Sequence, residues 1–193
     1  MARKKIEFRP DPTGFDWVSK LLLTPKQRKS VLKWVLYSLV CVAGLVFQDS
    51  MLAGLRVFGG HFEVAPALII LICVLEGCDK GSLFALLGSM VYVFSGTGPG
   101  YWGILVLTLA AVLADVFRQS YLRRGAGSEL ICVGGAMVCY ELAVFCAGLY
   151  LRLTYPGRWT VFVMTALVST LTAGVFYRPL KHIGTIGGNE WKE

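Results

Sequence analysis

The chain has 193 residues, of which 55% are hydrophobic and only 16% are charged. This balance lies outside that of a soluble globular domain, and the length leaves room for one membrane domain and no folded soluble one. The formal net charge is +7, and the basic residues that give rise to it lie next to apolar runs. In that position it favours anionic lipid over nucleic acid as a partner.

The positive charges fall on one side of six apolar runs. If these runs cross a membrane, 16 of the 19 Lys and Arg residues lie on the side of the N-terminus. The other three are Arg56, Arg152 and Arg158. Because positively charged loops resist translocation, this asymmetry predicts a multi-pass protein with both termini in the cytoplasm. The predicted fold class is an all-α bundle of six transmembrane helices.

The first 30 residues form a polar, basic N-terminal segment that contains three prolines. Phe15 and Trp17, with the leucines at 21–23, could form a short interfacial turn on the inner leaflet, and the alternative is a flexible basic leader. No cleavage site follows the first apolar run, so we expect that run to be retained. The predicted membrane domain covers residues 31–177, and 178–193 are a cytoplasmic tail.

The predicted spans differ in length. Lys33 and Trp34 are expected to anchor the inner end of span 1. Span 2 runs from roughly Phe62 to Leu75, with Pro66 near its start and Glu76 just after its end. It is therefore barely long enough to cross a bilayer and is expected to be short, tilted or partly re-entrant. A tight inner turn makes spans 2 and 3 a helical hairpin, and the uncharged 96–100 segment is an outer turn. The six spans cover residues 31–47, 62–75, 81–94, 101–117, 129–151 and 159–177.

Glu141 is the strongest candidate for a functional residue, because it lies near the middle of span 5. An ionisable group at that depth costs about 2.5–3.5 kcal/mol on insertion scales and usually faces protein or water. The alternative is a structural hydrogen bond between helices. Asp115 and Glu76 are possible polar or partner sites at span ends, where we expect water to reach them.

Small residues predict where the helices approach one another. In lipid, bringing helices together yields no hydrophobic gain, so close backbone contact must stabilise the bundle. The expected packing positions are Gly81 and Gly88 in span 3 and Gly134, Gly135 and Ala136 in span 5.

The sequence indicates no catalytic, cofactor or metal site, so we expect a non-enzymatic protein. The only histidines are His61 and His182, which are predicted on opposite sides of the membrane. Cys132, Cys139 and Cys146 recur every seven residues and stand about 10 Å apart along a helix, which suits packing better than metal binding. All six cysteines are interpreted as small apolar packing residues.

The region from Pro66 to Ile183 resembles the rod shape-determining protein MreD family. The resemblance rests on a second span led by a proline, on spaced glycines, on a glycine-rich outer turn and on the basic end of the last span. The residues that carry it are Pro66, the glycines Gly77, Gly81, Gly88 and Gly103, and the segment 177–181. It departs from the family at the end of span 3, where an acidic residue is often found and this chain has Tyr92. The resemblance implies a scaffold subunit of the bacterial cell-elongation complex in the cytoplasmic membrane. Its implied partners are an MreC-like protein and peptidoglycan-synthesis membrane proteins.

The MreD family is also similar in architecture to the substrate-binding subunits of energy-coupling factor vitamin transporters. That similarity supplies the alternative function, a six-span solute-binding subunit. Such a subunit requires an outward-opening pocket, which His61, Tyr101 and Trp102 could line.

Overall fold

The computed structural model describes residues 25–52, 54–55, 59–122 and 125–186. The proposed interfacial turn near Phe15 therefore lies outside the described residues. The described part of the chain is all-helical, which confirms the predicted helical class. Its α-helices are α1 (Pro25–Phe47), α2 (Val64–Glu76), α3 (Cys78–Phe94), α4 (Trp102–Tyr121), α5 (Ala126–Tyr150) and α6 (Trp159–Ile186), with a π-helical turn at Gln48–Leu52 and a 3₁₀ turn at Pro156–Arg158.

Within the described residues, four helical segments are long and apolar enough to cross a membrane. Their outward faces carry large exposed apolar side chains, such as Leu105, Leu171 and Val175, which are 71–75% exposed. Exposed apolar surface of this kind suits contact with lipid rather than water. These four segments are Gln27–Leu52, Trp102–Tyr121, Ala126–Tyr150 and Pro156–Ile186.

The short helix α2 forms the centre of the bundle and is packed against the five other α-helices. Every residue from Val64 to Leu75 is buried. A helix that is apolar on all sides is stable only when it is surrounded, which explains this position. With 13 residues it extends about 20 Å, less than the ~30 Å hydrocarbon core. The prediction of a short second helix is therefore confirmed, and its apolar surface contacts protein rather than lipid.

Close backbone approach holds α3 against α2. Gly77 alone joins the two helices, and its φ of 88° is a conformation that favours glycine. At Gly81, a Cβ atom would lie 2.7 Å from the carbonyl oxygen of Cys73, and at Gly88 it would lie 3.0 Å from Ile69. Neither site has room for a larger residue without movement of its neighbour, so these glycines set the spacing of the predicted hairpin.

The two glycines proposed for packing in α5 differ from each other. A Cβ atom at Gly134 would meet Thr170 of α6 at 3.2 Å, whereas a Cβ atom at Gly135 would meet nothing within 4 Å. Gly135 is exposed. The expectation that Gly135 packs against another helix is therefore wrong, because consecutive residues of a helix face directions about 100° apart.

The helix ends also depart from the predicted boundaries. α1 begins at Pro25, a residue whose fixed φ suits the first turn of a helix. α6 continues through Pro179 to Ile186, so the first part of the predicted 178–193 tail is helical. Pro179 cannot donate a helical hydrogen bond, and the next residue, Leu180, is fully buried in the core.

Candidate functional site

Buried polar side chains lie at the two ends of the central helix. One end, near Glu76, carries two ion-pair clusters, and the other end, near Glu63, opens into a cavity. The intervening 12 residues of α2 are buried and apolar. They separate the two polar regions by about 20 Å.

The first cluster ties α1 to the end of α2. Lys33 donates to Oε2 of Glu76, and their side chains are 3% and 0% exposed. The Tyr37 hydroxyl donates to the other carboxylate oxygen of Glu76 at 2.8 Å and also reaches the carbonyl oxygen of Leu180 at 3.4 Å. Both oxygens of the Glu76 carboxylate are thus satisfied, which is the condition for burying a charge at tolerable cost.

The second cluster joins α4, α5 and α6. Arg118 Nη2 donates to Asp115 Oδ1 at 2.7 Å, and Gln119 donates to the second oxygen at 2.6 Å. Glu129 of α5 lies 3.7 Å from Arg118 Nη1 and accepts a 2.6 Å hydrogen bond from the Tyr177 hydroxyl of α6. Charge-assisted bonds of this kind fix the relative positions of three helices.

These clusters correct three expectations. Asp115 is 0% exposed, and the Glu76 side chain is also 0% exposed, so water does not reach either carboxylate. Lys33, expected to extend to the membrane interface, is instead 3% exposed and paired. Because all three residues lie at span ends, their side chains were expected to reach water or the membrane interface. Neighbouring helices cover them instead. Their arrangement suits a structural lock rather than a reaction site.

A cavity of about 340 Å³ lies at the opposite end of the bundle, which the charge asymmetry predicts to face outward. It includes His61 and Trp102, two of the three residues named as possible lining of the pocket that the solute-binding alternative requires, whereas the third, Tyr101, is 79% exposed and does not line it. Its other polar lining residues come from the segment before α2, from α5, from the connection between α5 and α6, and from α6: Glu63, Glu141, Thr154, Arg158 and Thr165.

The segment that carries His61 and Glu63 is fastened to α6. The His61 amide donates to the Thr165 hydroxyl at 3.1 Å, and the Glu63 amide donates to the Ser169 hydroxyl at 2.9 Å. Thr165 and Ser169 are four residues apart and therefore lie on one face of α6. Gly60 permits this approach, because a Cβ atom there would lie 2.9 Å from the Thr165 amide nitrogen. The backbone thus holds Glu63 in a fixed position.

Two carboxyl groups meet at the cavity. Glu141 is 3% exposed, and it lines the cavity together with Glu63. The Tyr92 hydroxyl donates to Glu63 Oε2 at 3.4 Å. Glu141 Oε1 is buried and has no hydrogen-bond partner. Leaving such an atom unsatisfied costs about 1–3 kcal/mol, so this oxygen marks a place where a donor or a cation is favoured.

Glu63 is the residue that the sequence interpretation missed. It stands between Phe62 and the proline-led apolar run, inside the predicted span 62–75, and was not singled out as a candidate. An acidic residue directly before a run that is apolar on every side was the available signal. Tyr92, noted as a departure from the MreD pattern, lies against this carboxyl group.

The cysteines of α5 differ in burial. Among the residues that the structure describes, no group of three or more His, Cys, Asp or Glu side chains could hold a metal ion. Cys132 is buried, as the packing interpretation expects, but Cys139 and Cys146 are exposed. The seven-residue repeat therefore does not follow a single buried stripe.

Comparison with known proteins does not assign the chain to a family. No family model matches it, and neither a curated protein nor a solved structure matches it.

Proposed function

We propose that the protein is a non-enzymatic scaffold subunit of the bacterial cell-elongation complex. It would cross the cytoplasmic membrane six times, with both termini inside, and support peptidoglycan synthesis and cell shape. Its partners would be an MreC-like membrane protein and membrane proteins of peptidoglycan synthesis. The proposal begins from the resemblance to the MreD family between Pro66 and Ile183.

One structural observation supports the proposal: the residues behind the resemblance are packing positions of the bundle. Pro66 is buried in the first turn of the central helix. Gly81 and Gly88 lie against that helix, and a Cβ atom at Gly103 would lie 2.9 Å from Pro99. A pattern that encodes the packing of a central helix carries information about a particular fold, whereas scattered glycines in lipid-facing positions would not. The buried ion-pair clusters suit the same rigid, structural role.

The test is depletion combined with purification from a rod-shaped host. We expect cells that lack the protein to become round, and the tagged protein to co-purify with a single-span, coiled-coil protein. The matched control is an unrelated six-span membrane protein of similar abundance, purified in parallel. Normal elongation after depletion, or no enrichment of the coiled-coil partner over this control, would refute the proposal.

The outer cavity favours a second candidate, a solute-binding subunit that docks on an ATP-driven module. Its volume of about 340 Å³ lies in the range of small-molecule sites, roughly 300–1,000 Å³. His61 and Trp102 line it, as this alternative requires. Mass spectrometry of the small molecules that co-purify with the protein tests the candidate. We expect one compound in stoichiometric amount, and its absence from gently purified protein would count against solute transport.

A further inference from the structure

We propose that the outer cavity binds a small organic cation, an ammonium group attached to an apolar body, through Glu141 and Glu63. The inference deepens the second candidate function and rests on it, and it is independent of the scaffold proposal. Two observations support it. Glu141 Oε1 is buried without a hydrogen-bond partner, and Glu141 lines a cavity that has room for a ligand.

The floor of the cavity is acidic. Glu141 comes from α5 and Glu63 from the segment fastened to α6, and both side chains line the same cavity. Two adjacent carboxylates repel each other unless a proton or a cation lies between them. The Tyr92 hydroxyl donates its hydrogen bond to Glu63, and Glu141 Oε1 remains a hydrogen-bond acceptor without a donor. An ammonium group offers up to three donors, and it supplies the missing charge as well.

The walls favour an organic cation over an inorganic one. A space of about 340 Å³ is several times the ~30 Å³ that one water molecule occupies in the liquid. Val144, Val161 and Phe162 supply apolar wall surface, which would contact the body of a ligand. Trp102 also lines the cavity, and an indole face attracts an ammonium group through its quadrupole.

The rim limits the charge of the ligand. Arg158 is exposed at the cavity, and its guanidinium carbon lies 5.4 Å from the ring centroid of Tyr155. A positive group at the mouth repels multiply charged cations more strongly than singly charged ones. We therefore expect selectivity for ligands with one positive charge.

The test uses the full chain in lipid nanodiscs and phenethylammonium chloride as the probe, measured by titration calorimetry. We expect saturable binding, and at least tenfold weaker binding of 2-phenylethanol, which has nearly the same shape and no charge. Equal affinity for the neutral alcohol would overturn the proposal. Saturable binding of sodium ions that excludes the amine would overturn it as well, because the site would then be one for an inorganic ion.

Two variants separate the site from the fold. Glu141→Gln keeps the size and polarity of the side chain and removes its charge, so we expect an unchanged melting temperature together with at least a tenfold loss of amine affinity. Asp49→Asn is the matched control, because Asp49 is an exposed acidic residue at the same end of the bundle, and its variant should bind normally. Unchanged amine binding by Glu141→Gln would refute the assignment.

The outcomes also distinguish a failure of the ammonium assignment from a failure of the solute-binding candidate. If a neutral or anionic compound co-purifies and the amine does not bind, the ammonium assignment fails while solute binding stands. If no compound co-purifies and the amine does not bind, both fail. Neither result affects the tests of cell elongation.

Discussion

Replacing Gly81 with alanine should separate the central helix from its neighbour, whereas the same change at Gly135 should not. At Gly81 the new methyl group would lie 2.7 Å from the carbonyl oxygen and 2.8 Å from the Cα atom of Cys73. Both contacts are with backbone, which cannot rotate away as a side chain would. At Gly135 nothing lies within 4 Å of the new atom.

The expected magnitude follows from these distances. To restore ordinary contact near 3.4 Å, α3 would have to move from α2 by about 0.6–0.7 Å over this turn. Overpacking of this kind typically costs about 1–3 kcal/mol. Alanine also removes backbone freedom from the unfolded chain and favours the helix by ~0.5–1 kcal/mol, a gain common to both sites. Gly81→Ala should therefore destabilise the protein on balance, and Gly135→Ala should be neutral or stabilising.

The assay is unfolding in mixed micelles of a mild detergent and SDS, with the unfolding free energy measured for both variants and the wild type. Both substitutions are Gly→Ala inside a helix, so the difference between them isolates the contact with Cys73. Equal stability of the two variants, or a more stable Gly81→Ala, would refute the packing argument. A loss at Gly135 instead would mean that this face contacts a neighbour that a single chain does not contain.

Three further predictions concern the buried charges and the topology. Lys33→Met should cost about 3–5 kcal/mol, because it leaves the buried Glu76 carboxylate without its cation, and adding Glu76→Gln should recover much of that loss in a double-mutant cycle. Asp115→Asn should cost about 1.5–3 kcal/mol through its bond to a buried arginine, whereas Asp79→Asn, at an exposed position, should change the unfolding free energy by less than ~0.5 kcal/mol. Similar values for the two Asn variants would contradict the burial of Asp115. Reporter fusions should place the carboxyl terminus inside the cell and the 96–100 turn outside, and the reverse result would refute the topology drawn from the charges.

The candidate site could be predicted only in part. Glu141 stood out from sequence because an ionisable residue in the middle of an apolar run is costly and therefore informative. His61 and Trp102 were expected at an outer pocket from their positions in outer loops. Glu63 was missed, since its partner Glu141 lies on a different helix and nothing in the local pattern connects the two. Gly135 was misjudged because composition shows that a small residue is present but not which way it faces.

The sequence by itself determined the helical class, the apolar segments and the positions of the main turns. These depend on short-range properties, namely hydropathy, the φ preference of glycine at Gly77 and the distribution of basic residues. Only the tertiary structure decided that α2 is the buried centre and that Glu76 and Asp115 are removed from water. Burial is a property of what surrounds a side chain, and for these residues the surroundings come from helices distant in the chain.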